Sequence, residues 1–288
     1  SSDVCSSDLL EAARRVLADD PNSYQARVAL ATAHMLAGRT DEALAELESL
    51  ARAQTPDELA ARQLLWGPLL QVRIQDQLRR DPEQQNWEAV DSLVDLLAQS
   101  PFVDSAQLAS VRSDVLRSKG EAATAIDLAA AALDESPKSA MVARQYLLLL
   151  LADHRIADAR NVLAKLDPSL RNHPDVLSAE ARIAASAADS TTESELEAVE
   201  KAAESLETKD SVTVLLTMIE IRAAQRRLDD AERLARKILD LEPGELRTHS
   251  ALLDLATAQR DVDKMRQCAE MIGDVAGQAS PQARVARA

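Results

Sequence analysis

Aromatic side chains are nearly missing from this sequence: two Trp, two Tyr and one Phe, 2% of 288 residues. Its core must therefore be built from Leu, Ala, Val and Ile, which the 46% apolar content supplies. Glycine is scarce too, with six residues, and β-branched and aromatic runs are missing, which argues against a turn-dense β protein. The only cysteines, Cys5 and Cys268, are too few and too far apart for a zinc or disulfide framework. Long hydrophobic runs are lacking as well. The longest, Tyr146–Ala152, falls far short of the roughly 20 apolar residues a membrane span needs, so no span is expected. No signal-peptide pattern follows Ser1, which is not an initiator Met. Basic residues are outnumbered 33 to 48, giving a net charge of −15 with no basic stripe to oppose it. That field repels a phosphate backbone, so no nucleic-acid partner is expected. An all-α fold is what remains.

What is present is a repeat. Gly38, Gly120, His154 and Arg226 are each followed five places later by an alanine, namely Ala43, Ala125, Ala159 and Ala231. Arg260 repeats the frame with Met265 in the alanine slot. The step from Ala125 to Ala159 is 34 residues, and so is the step from Ala231 to Met265. Pro101, Pro137 and Pro243 follow Ala89, Ala125 and Ala231 by 12, where a proline stops one helix before the next begins. Each unit is thus expected to be two amphipathic helices, with the alanine where their axes approach most closely. Leu47 and Leu50 continue the buried stripe at helical spacing.

This pattern resembles the tetratricopeptide repeat family, whose unit is 34 residues of helix-turn-helix. The resemblance covers nearly the whole chain from Leu10 on. In its best unit, Leu30 and Ala31 match the first-helix pair of a large and a small residue, and Ala43, Leu47 and Leu50 match the second helix. Arg27 stands where the family has Trp, and His34 where it has Tyr. The interval from Ala43 to Ala89 is 46 residues, 12 more than one repeat, and that from Ala159 to Ala231 is 72. The 72 residues are expected to hold two slightly long repeats, the middle pair being Pro174–Ala187 and Glu193–Leu206. The resemblance implies an α-solenoid of stacked antiparallel helix pairs forming a right-handed superhelix over residues 10–288, with about seven complete pairs.

The opening SSDVCSSDL fits the frame poorly. Asp20-Pro21 closes a unit, so Leu10–Leu17 should be that unit's second helix, and a first helix with large apolar residues should precede it. Ser1–Leu9 has none. One reverse translation of these nine residues is similar to the end of a widely used short-read sequencing adapter, so they are set apart as a non-native segment. At the other end, Gln282–Ala288 echoes Gln25–Ala31, the opening of a first helix. Both ends are read as cut inside repeats, and are expected to fray first.

Catalytic motifs are missing. His34, His154, His173 and His249 lie in no His-Glu-x-x-His setting, and no Gly-rich phosphate loop or Gly-x-Ser-x-Gly occurs. His34 is expected to pack in the core, His154 to end a helix in place of glycine, and Cys268 to be a small buried hydrophobe. No catalytic residue, metal or cofactor is expected. Trp66-Gly67-Pro68 should kink or break the first helix of the oversized unit, and Trp66 and Trp87 are read as its packing. In the family, first helices line a concave groove. That position points to Gln25, Val28, Thr32, Arg144 and Leu148 as groove-lining. Some relatives clamp a peptide carboxylate with Lys and Asn where this chain has Val28 and Thr32, so that clamp is not expected. The resemblance implies a non-catalytic scaffold that binds a peptide or protein segment. The alternative is the repeat arm of a larger enzyme, such as a transferase.

Overall fold

In the computed structural model, the turn positions singled out by spacing share one backbone conformation. Gly120, His154, Arg226 and Arg260 are all left-handed, with φ of 84°, 58°, 62° and 59°. At each, the next residue's amide donates to a carbonyl five places back: Glu121 to Leu116 (2.9 Å), Arg155 to Leu150 (2.8 Å), Arg227 to Arg222 (2.9 Å) and Asp261 to Ala256 (3.0 Å). The left-handed residue itself donates three places back, as Gly120 does to Arg117 (3.0 Å). This pair of bonds satisfies carbonyls that the helix end would otherwise orphan, and turns the chain directly into the next helix. Only glycine adopts this conformation without strain. His154, Arg226 and Arg260 are exposed, so replacing any one by glycine should stabilise the protein by about 0.5–1 kcal/mol. Gly120→Ala should cost a similar amount, because an added Cβ there meets nothing within 4 Å and only φ is at stake. Thermal melts of the four variants check the sign.

The structure describes residues 2–21, 23–37, 39, 41–43, 45–46, 67, 69–98, 103–187 and 189–277. Among them every regular element is a helix and none is a strand. No helix among them is long and apolar enough to cross a membrane. Gly38, Leu47, Trp66, Pro68, Pro101 and Gln282–Ala288 lie outside the described residues, and with them the expected kink. The helices gather into two compact units, Ser1–Glu121 and Ala122–Ala288.

In the first unit a helix runs over Ser2–Asp19. Residues 2–9 of the segment set apart as adapter-like are thus continuous with the helix that holds Leu10–Leu17. No proline or glycine interrupts these residues, and the helix is anchored where Leu10 and Ala13 bury against Leu30 and Ala33 of the Tyr24–Leu36 helix. Asp20-Pro21 makes the turn, and the Arg27 guanidinium donates to the Pro21 carbonyl (3.1 Å). The position where the family carries Trp therefore braces a turn here. Further on, residues 69–78 are helical. The buried Gln77 accepts from the Asn86 amide (2.7 Å), which pins the 3-10 turn Pro82–Gln84 below that helix. Trp87 then packs with Val90, Val94 and Val115 between the Glu88–Ala98 and Ser105–Ser118 helices.

The second unit alternates first helices (Ala140–Ala152, Pro174–Ala187, Thr208–Ala224, Leu246–Gln259) with second helices (Ala122–Glu135, Ile156–Lys165, Thr192–Ala203, Leu228–Leu241, Val262–Ala276). Its core joins Leu177, Leu196, Val199, Leu215, Met218, Leu234 and Ile238. Ala125, Ala159 and Ala231 are fully buried, each at the fourth position of its second helix, and Ala43 in the first unit is fully buried as well. Ala89 differs. Its helix starts at Glu88, which places it in the first turn, half-buried, while Val90, Val94 and Leu97 carry the buried stripe.

His34 is buried at 7%, and its Nδ1 has no partner. Burial lowers its pKa, with the Arg39 charge adding to the effect. The unfolded chain then binds the proton more readily, so stability is full above the ordinary value of 6.5 and falls as pH drops below it. In the second unit Glu193, Glu200 and Glu232 are held below the ordinary 4.5, chiefly by hydrogen bonds from Arg222, Arg233 and Lys264. Their contribution is present above pH 4.5 and is lost as pH falls through their folded values. Acid titration followed by hydrogen exchange should therefore loosen residues 24–36 before residues 192–264. His34→Gln should remove the earlier step alone.

Candidate functional site

Three consecutive first helices of the second unit, Ala140–Ala152, Pro174–Ala187 and Thr208–Ala224, pack side by side. Helical spacing puts Arg144 with Leu148, Asp175 with Ser178 and Arg182, and Thr217 with Glu220 on one face of each. Ion pairs join these faces into a single surface. Arg144 Nε lies 3.9 Å from Asp175 Oδ1, and Arg182 Nη2 lies 2.6 Å from Glu220 Oε2. Between them the Ser178 Oγ is buried with no hydrogen-bond partner. Thr217 Oγ1 donates to its own helix at the Thr213 carbonyl (3.4 Å). His173 adds an imidazole at the rim, its Nδ1 accepting from the Asp175 amide (3.3 Å). The surface is half-exposed, polar and of mixed charge, with Leu148 as its apolar patch. It offers hydrogen-bonding groups to an extended chain.

A second set of charges holds the helix pairs in register. Arg160 reaches Asp189 (2.8 Å) and Glu195 (2.9 Å), 29 and 35 residues on. Arg233 grips Glu200 (2.7 and 2.9 Å), 33 residues back, and Lys264 reaches Glu232 (2.9 Å), 32 residues back. Each pair spans about one repeat, so each ties a second helix to its neighbour in the array. The most deeply buried cation in these links is Arg222, only 2% exposed at the end of its helix, which clasps Glu193 through two bonds of 2.8 Å. Arg227 also donates to Glu193.

The groove residues expected from sequence are divided between the two units. Val28 and Thr32 lie in the first, half-buried and exposed, the Thr32 Oγ1 donating to the Val28 carbonyl (2.9 Å). Gln25 lies on the same helix, its side chain outside the described set. Arg144 and Leu148 lie in the second unit, on the surface just described. Leu30 and Ala31 are buried at 7% and 1%. Sequence reasoning missed Asp175, Ser178, Arg182 and Glu220. Placing Pro174–Ala187 as a first helix contained the signal, because Asp175 and Arg182 are two turns apart on it. Among the described residues no group of His, Cys, Asp and Glu is arranged to hold a metal ion.

Residues 10–65 match the family model of the tetratricopeptide repeat. No curated protein matches the sequence. Among solved structures, yeast Tom70 is similar with a TM-score of 0.53 at 13% identity, over 99% of this chain and 59% of that one. The chain thus spans 59% of the length of Tom70. The tetratricopeptide domain of P58(IPK) aligns with a TM-score of 0.30 at 15% identity, over 98% of this chain and 91% of that one. A human IFIT1 dimer with m7Gppp-AAAA aligns with a TM-score of 0.38 at 14% identity, over 99% of this chain and 67% of that one. At such identities the likeness to Tom70 is one of fold.

Proposed function

Because residues 10–65 match the tetratricopeptide repeat family and the fold is like that of Tom70, we infer that the chain is a non-catalytic scaffold whose first helices hold an extended segment of a partner protein. The observation that carries this reading is the surface of Arg144, Leu148, Asp175, Ser178, Arg182 and Glu220. It supplies charged donors and acceptors at intervals along three packed helices. With few aromatic anchors the affinity should be modest, on the order of 10–100 μM. The net charge of −15 argues against a nucleic-acid partner.

Selection of peptides from a displayed library against the full chain tests this. Peptides so found should bind Arg144→Ala and Arg182→Ala about tenfold more weakly, while Arg236→Ala, on an exposed part of a second helix, leaves binding unchanged. Binding that ignores Arg144 and Arg182 would rule out the first-helix surface.

A further inference from the structure

The opposite side of the Pro174–Ala187 helix holds a feature that the scaffold reading does not use. Four second helices of this unit other than Thr192–Ala203 carry Ala125, Ala159, Ala231 and Met265 in the fourth position. In Thr192–Ala203 the buried stripe is Leu196, Val199 and Ala203, spaced as Ala231, Leu234 and Ile238 are, and Glu195 stands just before it, its amide donating to the Thr191 carbonyl (3.0 Å). The carboxylate of Glu195 is turned to Arg160 of the preceding second helix. The chain between these helix pairs is also longer, with a 3-10 turn at Pro168–Leu170 before Pro174. Here the two second helices flank a cavity of about 570 Å³, with the Pro174–Ala187 helix as its floor.

Leu163, Leu166, Leu177, Ile183 and Val199 make the walls apolar, and small residues such as Ala184, Ala198 and Ala202 leave the room. Glu180 stands among them. Among the described residues no hydrogen bond or ion pair ends on its carboxylate. Burial pushes its pKa up, the neighbouring Glu195 pushes the same way, and Arg171 on the connection opposes them. Arg160, the other cation of the cavity, is committed to Asp189 and Glu195. An apolar slot whose carboxylate is opposed only at a distance by Arg171 suits a long aliphatic stem that ends in a cation. The chain's net charge of −15 would draw a basic partner to it.

We propose that the cavity between the Ile156–Lys165 and Thr192–Ala203 helices is a second binding site, which takes a lysine or arginine side chain from a basic amphipathic segment of a partner protein. The aliphatic stem lies along Leu163, Ala198 and Ala202, and the cation meets Glu180. This site faces away from the first-helix surface and can be occupied independently of it. The Glu180 carboxyl must be ionised to hold the cation. Because its pKa is raised, binding is lost on acidification at a pH above the usual carboxylate range. The charged groups facing it are Glu195, Arg160 and Arg171, each from a different neighbouring element.

The test is titration of the full chain with a 14-residue peptide of leucine and lysine at helical spacing, read by fluorescence anisotropy. The same peptide with glutamate in place of lysine serves as comparison. Glu180→Gln should weaken the lysine peptide about tenfold and abolish the pH dependence, and Ala198→Phe, which fills the cavity, should do so without Glu180 being touched. Circular dichroism melts establish that both variants are folded. Glu197→Gln removes the same charge from an exposed site on the Thr192–Ala203 helix, and Arg144→Ala alters only the first-helix surface; both should bind as the wild type does. If the lysine peptide does not bind, binds Glu180→Gln equally well, or binds no better than the glutamate peptide, the site is refuted. An equal loss with Glu197→Gln would show diffuse attraction and also refute it.

Discussion

Replacing Glu193 by alanine is expected to destabilise the second unit by about 2–3 kcal/mol, far more than loss of any exposed ion pair. The cost comes from what is left behind. Arg222 is only 2% exposed, its Nε already lacks a partner, and after the change its guanidinium keeps only a 3.4 Å bond to Gln225 Oε1. A charge buried without its counterion is among the most expensive outcomes of a point mutation. The figure lies below that for a wholly buried pair because the Glu193 side chain is 46% exposed and water screens it. Two contrasts make the prediction specific. Asp263→Ala, which removes a pair 67% and 86% exposed, should change stability by less than about 0.5 kcal/mol. Glu193→Ala combined with Arg222→Met should recover most of the loss, since the buried charge is then gone. Hydrogen exchange of the Thr208–Ala224 helix gives the local free energy. Unchanged protection in Glu193→Ala would mean that Arg222 does not depend on this carboxylate.

Ala231→Leu is expected to cost about 1–3 kcal/mol. Ala231 is fully buried at the fourth position of its helix, in the cluster that contains Leu215, Leu234 and Ile238. Three added carbons there must displace a neighbouring helix. Ala43→Leu in the first unit should behave alike, since Ala43 is also fully buried. By contrast, Met265 in the same place of the Val262–Ala276 helix is only half-buried, and Met265→Leu should be nearly neutral. In an array of repeats the loss should be felt most by the mutated pair and its neighbours. Denaturant unfolding with local probes on residues 228–259 reads it. An Ala231→Leu protein as stable as the wild type would mean that the buried alanine is not a close-packing position.

How much of this could be read from the chain depends on which physical signal each feature leaves. The left-handed turns at Gly120, His154, Arg226 and Arg260 are legible by spacing alone, even though glycine occupies only the first. The repeat frame specifies the backbone there, and residue type does not. Pro174–Ala187 was legible because a proline opens it and its apolar positions recur with the period of a helix. Ala89 misled, because an alanine in an alanine-rich chain carries little information about the helix start, which Trp87 and the turn before it set instead. The cavity was not legible, because it depends on a longer connection and on how two neighbouring second helices pack against Pro174–Ala187. A glutamate on an acidic helix looks like any other until its partner, Arg160, is known. The first-helix surface was half legible. Arg144 and Leu148 follow from their place in the repeat, whereas Asp175, Arg182 and Glu220 acquire meaning only when neighbouring helices bring opposite charges together.

The central claim is that a partner segment lies along the first helices of the second unit. Site-directed photo-crosslinking tests it most directly, with p-benzoylphenylalanine in place of Leu148 in one variant and of Arg236 in another. With a peptide selected on the wild-type chain, position 148 should crosslink and position 236 should not. Crosslinking at 236 with none at 148 would contradict the account.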